Sequence, residues 1–175
     1  MSDYKIYVAS LSDYNAGILH GKWIELEGLS TDDIQDEVND ILKSSPYSKE
    51  TGEEAEEWAI HDYELGGIRI SEYEGFDTIV QIVEALEEHG EALAAYYNHI
   101  GGDIESAVDG FEEAYCGDFS DEHDPMKAYA EQFFDEVYLH EVPEHLRFYI
   151  DYELFARDLF MQDYFEEDGH VFRSI

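Results

Sequence analysis

Positive charge is scarce in this sequence: its 175 residues contain 9 Lys and Arg against 44 Asp and Glu, a formal net charge of −35. Contacts to phosphates require a basic surface, so this composition argues strongly against direct nucleic-acid binding. Attraction to anionic membranes is excluded on the same grounds. The acidity is not confined to a tail, because residues 70–126 contain 16 acidic residues and neither lysine nor arginine.

Cysteine and long apolar runs are also scarce. Cys116 is the only cysteine, which rules out an internal disulfide and makes a reducing cytoplasm the expected compartment. The best membrane-span candidate, Ile79 to Leu86, is interrupted by Gln81 and Glu84 and falls far below the roughly 18 apolar residues required. The N-terminus also lacks a signal-peptide pattern, since Asp3 stands where positive charge is needed and the following apolar run is short.

Aromatic and aliphatic residues, in contrast, are plentiful. Hydrophobic residues make up 44% of the chain and aromatics 15%, including 14 Tyr and 10 Phe. Disordered acidic segments have few aromatics, so this chain should fold. The patterning predicts an α+β protein in three small subdomains: an N-terminal α+β part (residues 1–73), a central acidic helical part (74–115) and a C-terminal, mainly helical part (116–175).

The N-terminal part combines strand and helix patterns. Runs rich in β-formers predict strands at Lys5–Leu11, Lys22–Leu26 and Trp58–Tyr63. Ser30 or Thr31 can cap a helix that ends before Pro46. The apolar positions of this helix are Ile34, Val38, Ile41 and Leu42. Residues 47–57 are predicted to be an exposed acidic loop.

The rest of the chain is dominated by helical periodicity. The central part contains three apolar stripes with acidic opposite faces, which predicts three short amphipathic helices. These stripes are Ile79, Ile82, Val83 and Leu86; Leu93, Tyr96, Tyr97 and Ile100; and Ile104, Ala107, Val108 and Phe111. A further helix has Met126, Tyr129, Phe133 and Val137 on one side. Residues 144–160 predict a single helix that is apolar around most of its circumference, typical of a deep core or a subunit interface, and His170–Ile175 predicts a short strand.

Motifs for catalysis or metal binding are weak. His140 and His145 are five residues apart with Pro143 between them, whereas the zinc-protease pattern needs two histidines four apart on one helix. Acidic residues follow Cys116 and favour its thiol form, so a structural cysteine is expected. The acids of residues 118–124 lack the spacing of a calcium-binding loop. The sequence therefore predicts no catalytic residue, no metal site and no cofactor.

The negative charge itself suggests a function. Duplex DNA carries one charge per roughly 1.7 Å of its axis, so 35 net charges correspond to about 60 Å of duplex. One hypothesis is a folded mimic of DNA that occupies the DNA-binding groove of another protein. The alternative is a solvated acidic surface adapted to high salt, whose stability would depend on that salt.

Three segments resemble the ArdA antirestriction family, which is encoded on plasmids and conjugative transposons. They are IYVASLSDYNAGILHGKWIEL (Ile6 to Leu26), WAIHDYEL (Trp58 to Leu65) and VPEHLRFYIDYELFARDL (Val142 to Leu159). The last resembles the family's antirestriction motif, and the order and separation of all three match. Leu154-Phe155 departs from the Ala-Tyr that the family often has at these positions.

The resemblance implies an elongated, dimeric, noncatalytic mimic of bent B-form DNA. Such a protein inhibits type I restriction–modification enzymes by occupying the DNA-binding groove of the methyltransferase core, formed by specificity and modification subunits. It also implies that the antirestriction motif lies near a dimer interface. The corresponding residues are Val142, Pro143, Leu146, Tyr149, Ile150, Asp151, Tyr152, Arg157 and Asp158.

Within this interpretation, a set of carboxylates is expected to replace DNA phosphates collectively. We call them the mimic carboxylates: Glu53, Glu54, Glu56, Glu57, Glu84, Glu87, Glu88, Glu91, Glu105, Asp109, Glu112 and Glu113. An acidic chaperone or binding module for a basic protein would explain the charge equally well, although not the three family-like segments. A carboxylate-dependent hydrolase is a further alternative, recognisable by turnover and by a pocket with a raised carboxyl pKa.

Overall fold

A computed structural model describes residues 4–175; Asp3 and the beginning of the predicted N-terminal subdomain lie outside the described residues. The chain divides into two compact units, the first ending at Ala94 and the second running from Ala95 to Ile175. Each unit contains one three-stranded sheet together with helices, which confirms the predicted α+β class. The division into three subdomains stays a prediction. Within residues 4–175, no helix is long and apolar enough to cross a membrane.

The sheet of the first unit consists of β1 (Lys5–Ser10), β2 (Gly21–Glu25) and β3 (Trp58–Glu64), in the order β2-β1-β3. Both pairings are antiparallel, and the three strands predicted from the sequence are confirmed. Ile6 pairs with Ile24, and Val8 pairs with Ile60. These four side chains are buried in one core cluster, so one face of the sheet supports the helices.

Four helices accompany this sheet: α1 (Leu11–Asn15), α2 (Thr31–Lys43), α3 (Pro46–Thr51) and α4 (Phe76–His89). The α2 helix begins with the predicted cap: the Ser30 hydroxyl accepts from the Asp33 amide while the Asp33 carboxylate accepts from the Ser30 amide. Ile34 and Val38 of α2 and Ile79 of α4 are fully buried. They pack in the same cluster as the strand residues and form the core of this unit.

The prediction that residues 47–57 form a loop was partly wrong. Residues 46–51 form the short helix α3. Pro46 suits the first turn of a helix because its missing N–H would have no helical partner there. The Ser45 hydroxyl accepts a hydrogen bond from the Ser48 amide, and Gly52 ends the helix at φ 80°.

The second unit contains the remaining elements. Its helices are α5 (Glu91–Ile100, which contains the unit boundary), α6 (Ile104–Ala114), α7 (Pro125–Val137) and α8 (Tyr152–Leu159). Its strands are β4 (Tyr115–Asp118), β5 (Tyr164–Glu167) and β6 (His170–Arg173), in the order β4-β6-β5. The helices predicted from the three central stripes and from Met126–Val137 are confirmed, and so is the final strand. The sequence did not predict β4 and β5.

Aromatic side chains fill both faces of this second sheet. On one face, Phe172 contacts Tyr96 of α5 and Phe165 of β5, with ring centroids 5.3 and 5.1 Å away. On the other face, Tyr129 of α7 packs with Tyr164 and Val171 in a separate cluster. The sheet is therefore held between helices on two sides, and its central strand β6 is buried from His170 to Phe172.

The single helix predicted for residues 144–160 was wrong. Residues Glu144–Tyr149 form a 3-10 helix, Ile150 is extended at φ −70° and ψ 124°, and α8 starts only at Tyr152. The Asp151 carboxylate accepts a hydrogen bond from the Leu154 amide at 3.0 Å and so begins a new helix. Short acidic side chains favour this N-cap position over a helix interior, which explains why the apolar pattern did not produce one continuous helix.

Candidate functional site

The first group of mimic carboxylates lies between α3 and β3. Glu53, Glu54, Glu56 and Glu57 are all exposed in a segment without regular secondary structure. The Tyr47 hydroxyl donates to the Glu53 carboxylate at 2.9 Å, and the Glu57 carbonyl accepts from the Leu11 amide at 3.0 Å. The segment is thus exposed in its side chains but held by hydrogen bonds at both ends.

The second group lies around the end of α4. Glu84, Glu87 and Glu88 are exposed, whereas Ile82 and Leu86 of the same helix are buried. Glu91 belongs to the next helix, because α4 stops at His89 and Glu91 is the first residue of α5. Gly90 makes this break at φ 67°, a value that glycine adopts without a steric penalty.

The third group lies on α6. Glu105, Asp109, Glu112 and Glu113 are exposed, opposite the buried residues of the same helix. Asp103 caps the helix and accepts from the Ser106 amide at 2.9 Å. Hydrogen bonds from the Ser106 amide and hydroxyl lower the pKa of Asp103, so this additional carboxylate also stays charged at neutral pH.

The mimic carboxylates share one electrostatic feature. Within residues 4–175, none of the twelve forms an ion pair with a lysine, arginine or histidine. The ion pairs of the described chain use other acids, such as Glu64 with Lys5 at 3.1 Å and Glu37 with Lys22 at 2.6 Å. No lysine, arginine or histidine among residues 4–175 pairs with these carboxylates, so their charge is exposed to the solvent.

The residues that correspond to the antirestriction motif lie mostly at the surface of the second unit. Pro143, Leu146, Tyr149, Asp151, Arg157 and Asp158 are exposed, and Val142, Ile150 and Tyr152 are partly buried. The exposed apolar surface is substantial: Phe148 is 91% exposed and Tyr149 79%. Single exposed apolar residues are common in folded proteins, but neighbouring large ones mark interaction surfaces. Residues Phe148–Glu153 also line an open cavity of about 370 Å³ together with Lys127 and Glu131.

Several motif residues make contacts within the chain. Tyr152 donates to Asp135 of α7 at 2.7 Å, and this hydrogen bond raises the pKa of Tyr152 to about 12, with burial adding a smaller contribution. Arg157 pairs with the adjacent Asp158 at 3.2 Å. Tyr152 therefore joins α8 to α7 within one chain, whereas the exposed pair of Arg157 and Asp158 contributes little to stability.

The two residues that depart from the family's frequent Ala-Tyr, Leu154 and Phe155, differ in their surroundings. The Phe155 ring lies 5.1 Å from Phe134 and 6.2 Å from Tyr138, both in edge-to-face geometry. Leu154 is 46% exposed on the same short helix. The Phe155 ring therefore fills the space between α7 and α8 through ring contacts alone.

Sequence reasoning missed one buried acid. Asp13 is fully buried beside α3, and its carboxylate accepts a hydrogen bond from the Tyr47 amide at 2.8 Å. Burial by itself would raise the pKa of Asp13, but hydrogen bonds from Ser45, Ser10 and the Tyr47 amide lower it. In the sequence Asp13 stands between Ser12 and Tyr14, and this context does not distinguish a buried acid from an exposed one.

The comparisons with known proteins identify a family. A family model described as antirestriction protein (ArdA) matches residues 6–172, nearly the whole chain. A search of curated proteins finds no match. In the part of the chain that the structure describes, no cluster of three or more His, Cys, Asp or Glu residues is placed to hold a metal ion. Because the match extends over nearly the whole chain and includes the three family-like segments, the chain belongs to the ArdA family of antirestriction proteins.

Proposed function

We propose that this antirestriction protein mimics B-form DNA and inhibits type I restriction–modification enzymes by occupying the DNA-binding groove of the methyltransferase core. The observation that carries the proposal is that the twelve mimic carboxylates are exposed and form no ion pair with a lysine, arginine or histidine of the described residues 4–175. They lie on α4, α5, α6 and the 53–57 segment. A groove that binds phosphates through lysine and arginine presents the complementary charge.

The electrostatic mechanism has two consequences for binding. Long-range attraction between opposite charges raises the encounter rate, and this effect weakens as salt screens the field. Because many carboxylates share the field, no single one should dominate the affinity. Glu87→Gln alone should therefore leave inhibition almost unchanged, whereas neutralising six or more of the mimic carboxylates should weaken it clearly.

The proposed active form is a homodimer. The exposed apolar side chains around Phe148 and Tyr149 support this assignment, since water-exposed aromatic neighbours gain free energy when a second surface covers them. A dimer would present twice the charge of one chain. Inhibition of this kind is stoichiometric binding and requires no turnover by the chain.

A fluorescence competition experiment tests the proposal. Labelled duplex bound to a type I methyltransferase core is titrated with this protein at two salt concentrations. We expect stoichiometric displacement of the duplex, with an apparent affinity that falls as salt rises. No displacement at low salt by a folded dimer would reject the mimic mechanism and favour the acidic chaperone.

Two variants with the same net charge distinguish the effect of where the acids lie from the effect of the total charge. The first replaces the α4–α6 acids with their amides at Glu84, Glu87, Glu88, Glu91, Glu105, Asp109, Glu112 and Glu113. The second removes the same number of charges from exposed acids elsewhere, at Glu25, Glu27, Asp32, Asp36, Glu72, Asp121, Glu122 and Glu144. The first should lose more potency than the second. Equal potency of the first variant and the unmodified protein would contradict the mechanism.

The second candidate function is a chaperone or binding module for a basic protein. The same unpaired carboxylates favour it, because they attract any exposed cluster of lysine and arginine. A chaperone of this kind should prevent a histone-like protein from aggregating and should not discriminate between it and the methyltransferase core. The mimic should bind the methyltransferase core selectively, and only when the DNA-binding groove is free.

A further inference from the structure

The Asp13 carboxylate is an acid placed inside a protein whose other acids are overwhelmingly exposed. Asp13 belongs to the short helix α1 and is fully buried. A buried carboxylate costs free energy unless it is hydrogen-bonded, and here one oxygen accepts from the Tyr47 amide at 2.8 Å. Tyr47 stands in the first turn of α3, so this bond attaches the start of α3 to α1.

Tyr47 connects that buried bond to the surface. Its hydroxyl donates to the Glu53 carboxylate at 2.9 Å, and its carbonyl accepts from the Thr51 hydroxyl at 2.9 Å. The Glu53 amide in turn donates to the Thr51 hydroxyl at 3.2 Å. A continuous path of hydrogen bonds therefore runs from Asp13 through Tyr47 to the first glutamate of the acidic segment.

The far end of the segment is attached to the same helix. The Leu11 amide donates to the Glu57 carbonyl at 3.0 Å, and Leu11 is the first residue of α1. Trp58 follows directly and pairs with Ser10 in the sheet. Residues 53–57 are thus held at one end by α3, which Asp13 attaches to α1, and at the other end by α1 itself, while the four glutamate side chains remain exposed.

We propose that Asp13 is a positioning residue, which acts through Tyr47 to hold Glu53, Glu54, Glu56 and Glu57 in one arrangement before they meet a basic groove. This inference rests on the proposed function of those four carboxylates. Like charges close in sequence repel one another, so a detached segment would sample many extended arrangements. A partner would then have to order the segment on binding, and this cost lowers affinity.

The experiment uses the full chain and two measurements. Hydrogen exchange of residues 45–57 reports whether the segment is held, independently of any partner. Duplex displacement from the methyltransferase core reports binding. The variants are Asp13→Ala and the milder Tyr47→Phe, which removes only the hydroxyl that reaches Glu53. Ile34→Val is the matched control, because it perturbs a fully buried residue of the same unit without touching this path.

A double-mutant cycle separates positioning from a general loss of stability. Each variant is also made in a background in which Glu53, Glu54, Glu56 and Glu57 are replaced with Gln. We expect Asp13→Ala to speed the hydrogen exchange of residues 45–57. We also expect it to weaken duplex displacement roughly three- to tenfold, because the partner would then have to order one or a few more side chains on binding. In the Gln background the same substitution should cause no further loss, since the positioned charges are gone. Tyr47→Phe should give a smaller change in the same direction.

Four results would overturn the inference. Exchange that is no faster in Asp13→Ala than in Ile34→Val would mean that Asp13 does not hold the segment. Faster exchange with unchanged displacement, or an equal loss in the Gln background, would mean that the held arrangement does not serve binding. If the unmodified protein itself displaces no duplex, the proposed function fails and the positioning role fails with it. This case is recognised when Asp13→Ala exchanges faster than Ile34→Val but the unmodified protein displaces no duplex.

Discussion

The hydroxyl of Tyr152 donates a hydrogen bond of 2.7 Å to the carboxylate of Asp135. This bond joins α8, which forms the C-terminal part of the antirestriction-like segment, to α7. A hydrogen bond to a charged acceptor is stronger than one between neutral groups. The hydrogen bond therefore gives Tyr152 a stabilising role within a single chain. This role can be measured separately from any role at a dimer interface.

Replacing Tyr152 with Phe should lower the free energy of unfolding by about 1 kcal/mol at neutral pH, the usual net value for one hydrogen bond. The pKa of Tyr152 is raised from 10.0 to about 12, first by the hydrogen bond to Asp135 and then by burial. A raised pKa stabilises the folded state below pH 10, and this contribution is lost as the pH rises to about 12. The difference between the two proteins in urea unfolding should shrink over that range; a constant difference would contradict the assignment.

Asp13→Asn should show the opposite pH dependence. The folded-state pKa of Asp13 is lowered, because hydrogen bonds outweigh the effect of burial. A lowered pKa stabilises the folded state above the unfolded value of about 3.9 and loses that contribution as the pH falls through the folded value. We expect Asp13→Asn to cost about 1–3 kcal/mol at pH 7. This difference should decrease below about pH 4 when unfolding is followed by circular dichroism.

Charged residues in place of Phe148 and Tyr149 should produce a folded monomer if the exposed motif is the dimer interface. Both side chains are exposed in one chain, so their replacement removes few intramolecular contacts. The measurement is analytical ultracentrifugation. Leu19→Lys is the control, since Leu19 is 86% exposed but lies outside the motif and should leave the dimer intact. A dimer that persists in the Phe148 and Tyr149 variant would reject this interface.

Phe172→Ala should destabilise the second unit strongly. The ring is fully buried and contacts Tyr96 and Phe165 within 5.3 Å, so its removal leaves a cavity between α5 and the sheet. Removing a buried phenylalanine typically costs about 3–5 kcal/mol. The same substitution at the exposed Phe148 should change the unfolding free energy by less than about 0.5 kcal/mol. Similar effects at the two positions, measured by denaturant unfolding, would contradict the buried arrangement.

The elements that the sequence predicted well are those in which local preference and periodicity agree. The α2 helix has its cap at Ser30 and its apolar stripe at Ile34 and Val38, and both were recognisable without a structure. Where two local preferences compete, prediction failed. Residues 144–160 have a helical apolar pattern, but Asp151 takes the N-cap position and divides the segment at Ile150. Four-residue strands such as β4 and β5 contain too few residues for a pattern, and pairing with β6 defines them.

The sequence by itself determined the net charge, the α+β composition, the positions of the mimic carboxylates and the resemblance to the ArdA family, because each depends on residue types and their spacing along the chain. Only the tertiary structure decided that Asp13 is buried, that Tyr152 bonds to Asp135, and that Phe148 and Tyr149 remain exposed. Burial and hydrogen bonding depend on which distant segments meet. One sequence pattern is compatible with many sets of tertiary contacts. The packing of the core determines which set the folded chain adopts.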